Sequence, residues 1–246
     1  MAAVKRTKKA KRGATRRRRS LLWTLLRWPV RLVVLTGLLS VVWVTVYRWV
    51  DPPGGYYMLA ESRRLGGIER EWRDLDQISP HLVRSVIAAE DARFCDHEGF
   101  DFKAIRAAMR ANEQGRRVRG GSNITQQTAK NVFLWHQRSW VRKGLEAGFT
   151  VLIELLWPKA RIMEVYLNSV EFAPGVFGGE AAARHHFGRS AKALDAVQSA
   201  RLAAVLPNPK GRNAAKPSNG VMRRARSISA GARTLAADGR DRCVLF

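Results

Sequence analysis

Residues Ser79-Pro80-His81-Leu82-Val83-Arg84-Ser85-Val86-Ile87-Ala88-Ala89-Glu90, running on through Asp91-Ala92-Arg93-Phe94-Cys95-Asp96-His97-Glu98-Gly99-Phe100-Asp101, decide how the chain is read. Ser79 is placed to cap a helix. Pro80 suits the first helical position, where its missing N–H leaves no bond unmade. Leu82, Val83, Val86 and Ile87 then share one helical face. The same face next reaches Glu90 and Phe94. A carboxylate therefore stands where the pattern asks for a core residue. Burial there disfavours the charged form and raises the pKa toward the range of a general base. The same position also suits a salt-bridged core acid or an acid at the edge of the stripe.

Toward the C-terminus the patterns stay helical. Asp101 can cap a helix carrying Ile105, Ala108, Met109 and Asn112 on one face, with Gly115 as its stop. Gly115 to Asn123 is a basic, glycine-rich loop, and Ile124 to Trp135 is helical again. Trp140 to Trp157 places Leu145, Phe149, Leu152 and Leu156 on a buried face. Pro158 breaks that helix and opens the next, with Ile162, Val165 and Tyr166 inward. Phe172 to Phe187 reads as irregular. Asp195 with Gln198 forms a capping box for Ala196–Leu206, which Pro207-Asn208-Pro209 ends. Tyr56 to Asp76 fits a strand, a short helix or a loop. There is no internal repeat and no run of alternating strands, so the expected fold is mostly α.

Toward the N-terminus, Lys5 to Arg19 is a basic run without apolar periodicity. Leu32 to Tyr47 is uncharged; with Arg31 and Arg48 able to snorkel and Trp28, Trp43, Tyr47 and Trp49 suited to the interfaces, the stretch extended to Trp28–Val50 reads as a transmembrane helix. No small-x-small cleavage site follows, so an uncleaved anchor is expected. The implied organisation is a basic cytoplasmic tail (1–27), an anchor (28–50), an external domain (51–218) and a basic C-terminal tail (219–246). Positive charge on the N-terminal side puts that end in the cytoplasm.

The formal charge is +24 over 246 residues. Residues 1–50 hold 13 Lys and Arg and no acid, and the remaining 31 basic residues still outnumber 20 acidic ones. Such a body suits an anionic partner: lipid headgroups, a phosphorylated substrate or nucleic acid. Nucleic acid is disfavoured, because much of the charge flanks the anchor and no helix-turn-helix or zinc pattern is present. Cys95 and Cys243 make no disulfide framework. Cys95 reads as a small packing residue and Cys243 as part of a frayed tail.

Two acids and a set of cations define a chemistry. Glu90 can take a proton from an attacking hydroxyl. Glu146 is a second acid flanking the apolar stripe of its helix. Lys130, Arg138, Arg142 and Lys143 can neutralise a departing pyrophosphate, and the glycine loop can cradle an anion with its N–H groups. A basic cluster on a helix is also the ordinary appearance of a solvated face.

At these residues the chain resembles a known family. Glu90-Asp91-x-x-Phe94-x-x-His97-x-Gly99-Phe100-Asp101 is similar to the first motif of glycosyltransferase family 51, the peptidoglycan glycosyltransferases. Gly120 to Asn131, then Arg142-Lys143-x-x-Glu146-Ala147, Arg161 to Asn168, and Ala203 to Pro209 resemble its further motifs, in the family's order. The resemblance covers Leu82 to Ser218. No transpeptidase domain follows, so the monofunctional biosynthetic transglycosylases of that family are the nearest in kind.

The resemblance implies a lysozyme-like helical domain on a single membrane anchor, in the inner membrane with its catalytic domain in the periplasm. It implies polymerisation of lipid II into β-1,4-linked glycan with release of undecaprenyl diphosphate, the lipid-linked growing chain being the donor. Glu90 is then the general base and Glu146 assists the pyrophosphate site. Lys130 and Arg138 contact the pyrophosphate, Arg142 and Lys143 add positive potential, and Ser122, Gln126 and Gln127 line the cleft. Asp91, Phe94 and His97 shape the first motif. A divalent cation, Mg2+ or Mn2+, at the donor pyrophosphate is left open, as are partners among other cell-wall synthesis or division proteins. Asn123 stands where the family usually has threonine, which implies tuning rather than loss. Two rivals share some of these features: a lysozyme-like lytic enzyme and a non-catalytic membrane-anchored scaffold.

Overall fold

The computed structural model describes residues 27–113, 122–137 and 139–245, and the chain divides into two compact units, Met1–Val46 and Tyr47–Phe246. In the first, α1 (Arg27–Val46) is long and apolar enough to cross a membrane. Its Leu32, Val33, Leu35 and Leu38 are exposed. Its hydroxyls turn inward on the helix: Thr36, Ser40 and Thr45 donate to carbonyls four residues back, leaving no free O–H on the apolar surface. The helix stops four residues short of the expected Val50. Arg161 takes the carbonyls of Tyr47 and Val50 and pairs with Asp51, so the chain after Val46 follows the second unit's chemistry instead of the helical ladder.

The segment left open between strand, helix and loop contains all three. It holds α2 (Tyr56–Leu65), closed by Gly66 at φ 76°, then β1 (Glu69–Arg70) and a single 3-10 turn at Leu75–Gln77. Then comes α3 (Pro80–Glu90). The Ser79 side chain accepts from the N–H of His81, Pro80 starts the helix, and Leu82, Val83, Val86 and Ile87 are fully buried. Removing each of these side chains from water is worth roughly 1.5–3 kcal/mol. Glu90 is the last helical residue.

The helices fall into two groups by their contacts. In one, α3 packs with α9 (Ala196–Val205) and α10 (Asn219–Asp238). The Asp195–Gln198 capping box opens α9 as its sequence indicates. The other joins α5 (Ile124–Phe133), α6 (Trp140–Leu156) and α7 (Lys159–Ser169). In sequence, α4 (Phe102–Glu113) lies between α3 and α5. A small sheet completes the unit, in the order β1-β3-β2, from β2 (Glu171–Ala173) and β3 (Val176–Phe177), with α8 (Gly179–Phe187) following. The stretch Phe172 to Phe187 is thus ordered into strands and a helix; Gly175 and Gly178, at φ 74° and 87°, permit the turns that the sequence reading took for irregularity.

Two further expectations are corrected. The buried face of α6 is Arg142, Glu146, Phe149, Thr150 and Ile153; of the four residues expected there only Phe149 is buried, Leu152 and Leu156 are half-buried, and Leu145 is 43% exposed. The helix carries an apolar and a charged stripe side by side, and α5 draws the charged one inward. The tail is not frayed. It forms α10, capped by Ser218 and closed by Gly239, and Cys243 is bonded to Cys95 across 148 residues. Such a separation gives no local signal, which is why the pair is invisible to spacing rules.

Candidate active site

Glu90 projects from the C-terminal end of α3 with its side chain 13% exposed. Gln127, on α5, donates its amide N–H to Glu90 Oε2 at 3.0 Å. The Gln127 carbonyl faces the hydroxyl of Tyr166, a fully buried residue of α7, at 3.4 Å. That contact sets which way the amide points. Glu90 Oε1 has no hydrogen-bond partner among the described residues, although Arg224 Nη2 of α10 lies 3.5 Å away. Burial raises the Glu90 pKa above the ordinary carboxylate value. The Gln127 bond and the charges of Arg224 and Arg212 oppose that rise, and Asp91 adds to it. The result is a carboxylate with Oε2 tethered by Gln127 and Oε1 beside the Arg224 guanidinium.

Next to it is a polar cavity of about 300 Å3 lined by Ser122, Gln126, Gln127, Lys130, His136, Arg142, Lys143 and Glu146. Gln127 belongs both to this cavity and to the Glu90 contact, so it joins the two. Glu146 is 3% exposed; its Oε2 accepts from Arg142 Nη1 at 2.6 Å, and its Oε1 pairs with Lys143 Nζ. The acid therefore fixes two cations on the cavity wall. Burial lowers the Lys130 pKa, and the charges of Arg142 and Lys143 lower it further, against the opposing pull of Glu146 and Glu90. Three cations facing one carboxylate leave the cavity short of negative charge, which an anionic ligand would supply.

The first motif is braced around Glu90. His97 Nε2 sits 2.9 and 3.0 Å from the two oxygens of Asp91, and both side chains are nearly buried. Phe94 is fully buried beneath Lys159 Nζ, which lies 4.5 Å from its ring and donates to the His97 carbonyl. Gly99 has φ 82°, and a Cβ there would come within 2.9 Å of Thr150. Only glycine fits without displacement.

Asn123 explains its own departure from the family pattern. Its Oδ1 accepts from the N–H of Gln126, and the Gln126 side chain returns a bond to the Asn123 N–H, a complete capping box at the start of α5. Its Nδ2 also donates to Gly99 O at 2.7 Å. One side chain thus starts the helix that carries Gln127 and ties it to the loop that follows Glu90.

Of the residues singled out from sequence, seven line the cavity: Ser122, Gln126, Gln127, Lys130, Arg142, Lys143 and Glu146. Arg138 and the glycine loop through Gly121 lie outside the described residues. His136 was missed. It sits in the loop between Lys130 and Arg142, and that place among the motif cations was its one signal. Its ring stacks on Tyr57 at 3.7 Å between centroids. Packing against its surroundings and the neighbouring charges of Lys130, Arg142 and Lys210 hold its pKa down to about 4, so it is a neutral hydrogen-bonding group at the cavity mouth. Among the described residues no cluster of three His, Cys, Asp or Glu could hold a metal ion. The cavity's single acid, Glu146, is already engaged by two cations.

A family model described as transglycosylase matches residues 59–232. A biosynthetic peptidoglycan transglycosylase of Jannaschia sp. is 55% identical over 240 residues, covering 98% of each chain. One of Caulobacter vibrioides is 52% identical over 213 residues, 87% of this chain and 92% of the relative. One of Stutzerimonas stutzeri is 55% identical over 193 residues, 76% of this chain and 80% of the relative.

Proposed function

This chain belongs to the transglycosylase family, with biosynthetic peptidoglycan transglycosylase activity in cell-wall synthesis, and from that premise we propose that it polymerises lipid II with Glu90 as the general base. The supporting observation is the Glu90 carboxylate, whose buried Oε1 accepts no hydrogen bond among the described residues and whose Oε2 is joined through Gln127 to a cation-lined cavity.

In this reading the acceptor's 4-hydroxyl meets Glu90 Oε1, which takes its proton as the oxygen attacks C1 of the donor sugar. Attack opposite the leaving group inverts that centre and gives a β-1,4 link. The raised pKa makes Glu90 a stronger base than an exposed acid. The bond from C1 to the pyrophosphate breaks as the new one forms. Lys130, Arg142 and Lys143 meet the negative charge that gathers on the departing undecaprenyl diphosphate, and Arg138 joins them. Glu146 keeps Arg142 and Lys143 oriented before substrate arrives, so they need not reorganise during the reaction. Ser122, Gln126 and His136 supply neutral hydrogen bonds on the wall.

A divalent cation at the pyrophosphate does not fit the cavity's described residues. One carboxylate, already paired with Arg142 and Lys143, is a poor donor set for a hard metal that prefers several oxygens. No step is routed through one.

The anchor reading extends to topology. The apolar helix, ending at Val46, holds the chain in the inner membrane, the domain that follows works in the periplasm with 219–246 attached, and the basic first residues stay in the cytoplasm. The charge asymmetry and the Cys95–Cys243 bridge both support it, since disulfides persist in oxidising compartments. Anchoring confines enzyme and polyprenyl-linked substrate to one surface, which raises their effective concentration.

The experiment is incubation of the purified full chain with labelled lipid II in detergent, and separately with isolated sacculi. Muramidase-sensitive polymer from lipid II, with sacculi intact, is expected. Digestion of sacculi without polymer would identify a lytic enzyme, and neither product from folded protein would favour a scaffold.

A further inference from the structure

The segment after α10 belongs to none of the motifs that carry the reaction, yet it closes onto the residues around Glu90. Arg84 Nε donates to Asp241 Oδ2 at 2.6 Å, and Asp241 is buried. Arg240 reaches the carbonyl of Ala92. Cys243 is bonded to Cys95. Upstream on α10, Arg224 reaches both the Ala89 carbonyl and Glu90 Oε1, and Gly231 lets the two helices meet closely: a Cβ there would be 3.3 Å from that of Ala88.

These ties fall on both sides of Glu90. Arg84 precedes it on α3; Ala92 and Cys95 follow it in the loop. Because Glu90 is the last residue of its helix, the ladder beyond it cannot hold it. Helix ends open more readily than helix centres unless other contacts close them. Here the closing contacts come from the far end of the chain.

We infer that the C-terminal strap, Gly239–Val244 with its Cys95–Cys243 bond, is a positioning element for the Glu90 carboxylate, so that full activity requires the bridge to be formed. The inference rests on Glu90 being the base. Forming the bridge removes two electrons and two protons from the Cys95 and Cys243 thiols, and an external disulfide oxidant accepts both. The enzyme is therefore completed by thiol oxidation after the domain leaves the reducing cytoplasm. Since neither cysteine is free, a reductant has no other target in the described chain.

The test compares three forms of the full chain in detergent: oxidised, reduced and alkylated, and the double variant Cys95→Ser/Cys243→Ser. All are assayed below their melting transitions, with circular dichroism confirming the fold. The expected result is a fall in kcat on lipid II of about tenfold or more in both bridge-free forms, since a small misplacement of a reacting group costs rate. KM should change by less than about twofold, because the substrate-binding wall is untouched. Reduced protein that is reoxidised without alkylation should recover. Folded, bridge-free protein with the oxidised kcat overturns the inference. Should the double variant fail to fold, Asp241→Asn, which keeps the bridge and the side-chain shape, carries the same expected fall in kcat, and an unchanged kcat there is equally contrary. Glu90→Gln is run alongside. If it still polymerises, the base assignment fails; if it is inactive while bridge-free protein is fully active, only the strap inference fails.

Discussion

Gln127 Nε2 lies 3.0 Å from Glu90 Oε2, and this amide contact leaves Oε1, beside Arg224 at 3.5 Å, as the oxygen that accepts no hydrogen bond among the described residues. The contact joins the base to the cation-lined cavity through a single side chain. It also favours the ionised form of a carboxylate whose burial favours the neutral one.

Removing it has a sign that can be worked out. Glu90 acts when ionised, so activity falls as pH drops through its pKa. Gln127→Ala deletes a bond that lowers this pKa, so the acidic limb of the kcat profile should move to higher pH. The amide's lost tether should also cut kcat about tenfold at neutral pH. Initial rates of lipid II polymerisation across pH check both.

Glu146 should matter for stability and for the state of Lys130. Glu146→Gln leaves Arg142 buried without its counter-charge, which should cost about 3 kcal/mol in urea unfolding. It also removes a charge that raises the depressed Lys130 pKa. Lys130 binds an anion when protonated, and that affinity is lost as pH rises through its pKa. The basic limb of 1/KM should therefore move to lower pH in the variant.

Asn123→Thr should keep the helix cap and lose the donor to Gly99 O. The expected cost is about 1 kcal/mol, read by urea unfolding, with Asn123→Ala costing about 2 because the cap is lost as well. Activity should fall modestly in the first variant, through a looser link between α5 and the loop after Glu90.

The outward face of α6 offers a different test. Val141, Leu145 and Leu155 are 70%, 43% and 73% exposed on a helix that lines the cavity with its other side. An apolar flank of this kind suits contact with the acyl region of a bilayer. Leu155→Glu should shift stability by less than about 0.5 kcal/mol. It should lower the rate on lipid II in vesicles and leave the rate in detergent unchanged.

Much of this was legible in the sequence where the chemistry is local. Ser79-Pro80 and Asp195 with Gln198 announce helix starts through their own backbone bonds, and the carboxylate at Glu90 breaks an otherwise apolar stripe. The cavity wall was legible because its cations and amides sit in short motifs. What escaped is what depends on distance or on a choice between equal patterns. Nothing near Cys95 points to Cys243, and nothing near α10 points to α3. Along α6 two stripes compete, and only the packing of α5 decides that Glu146 turns inward and Leu145 outward. His136 gives no pattern of its own, because its place beside Tyr57 is a tertiary fact.

The most direct measurement is polymerisation of labelled lipid II by Glu90→Gln beside the wild type, with lipid II affinity and melting temperature measured on the same samples. The account predicts a rate lower by about a thousandfold, as the loss of a general base entails, with substrate still bound and the fold intact. A folded Glu90→Gln protein that polymerises within about tenfold of the wild-type rate would contradict it, since a positioned base contributes more than that.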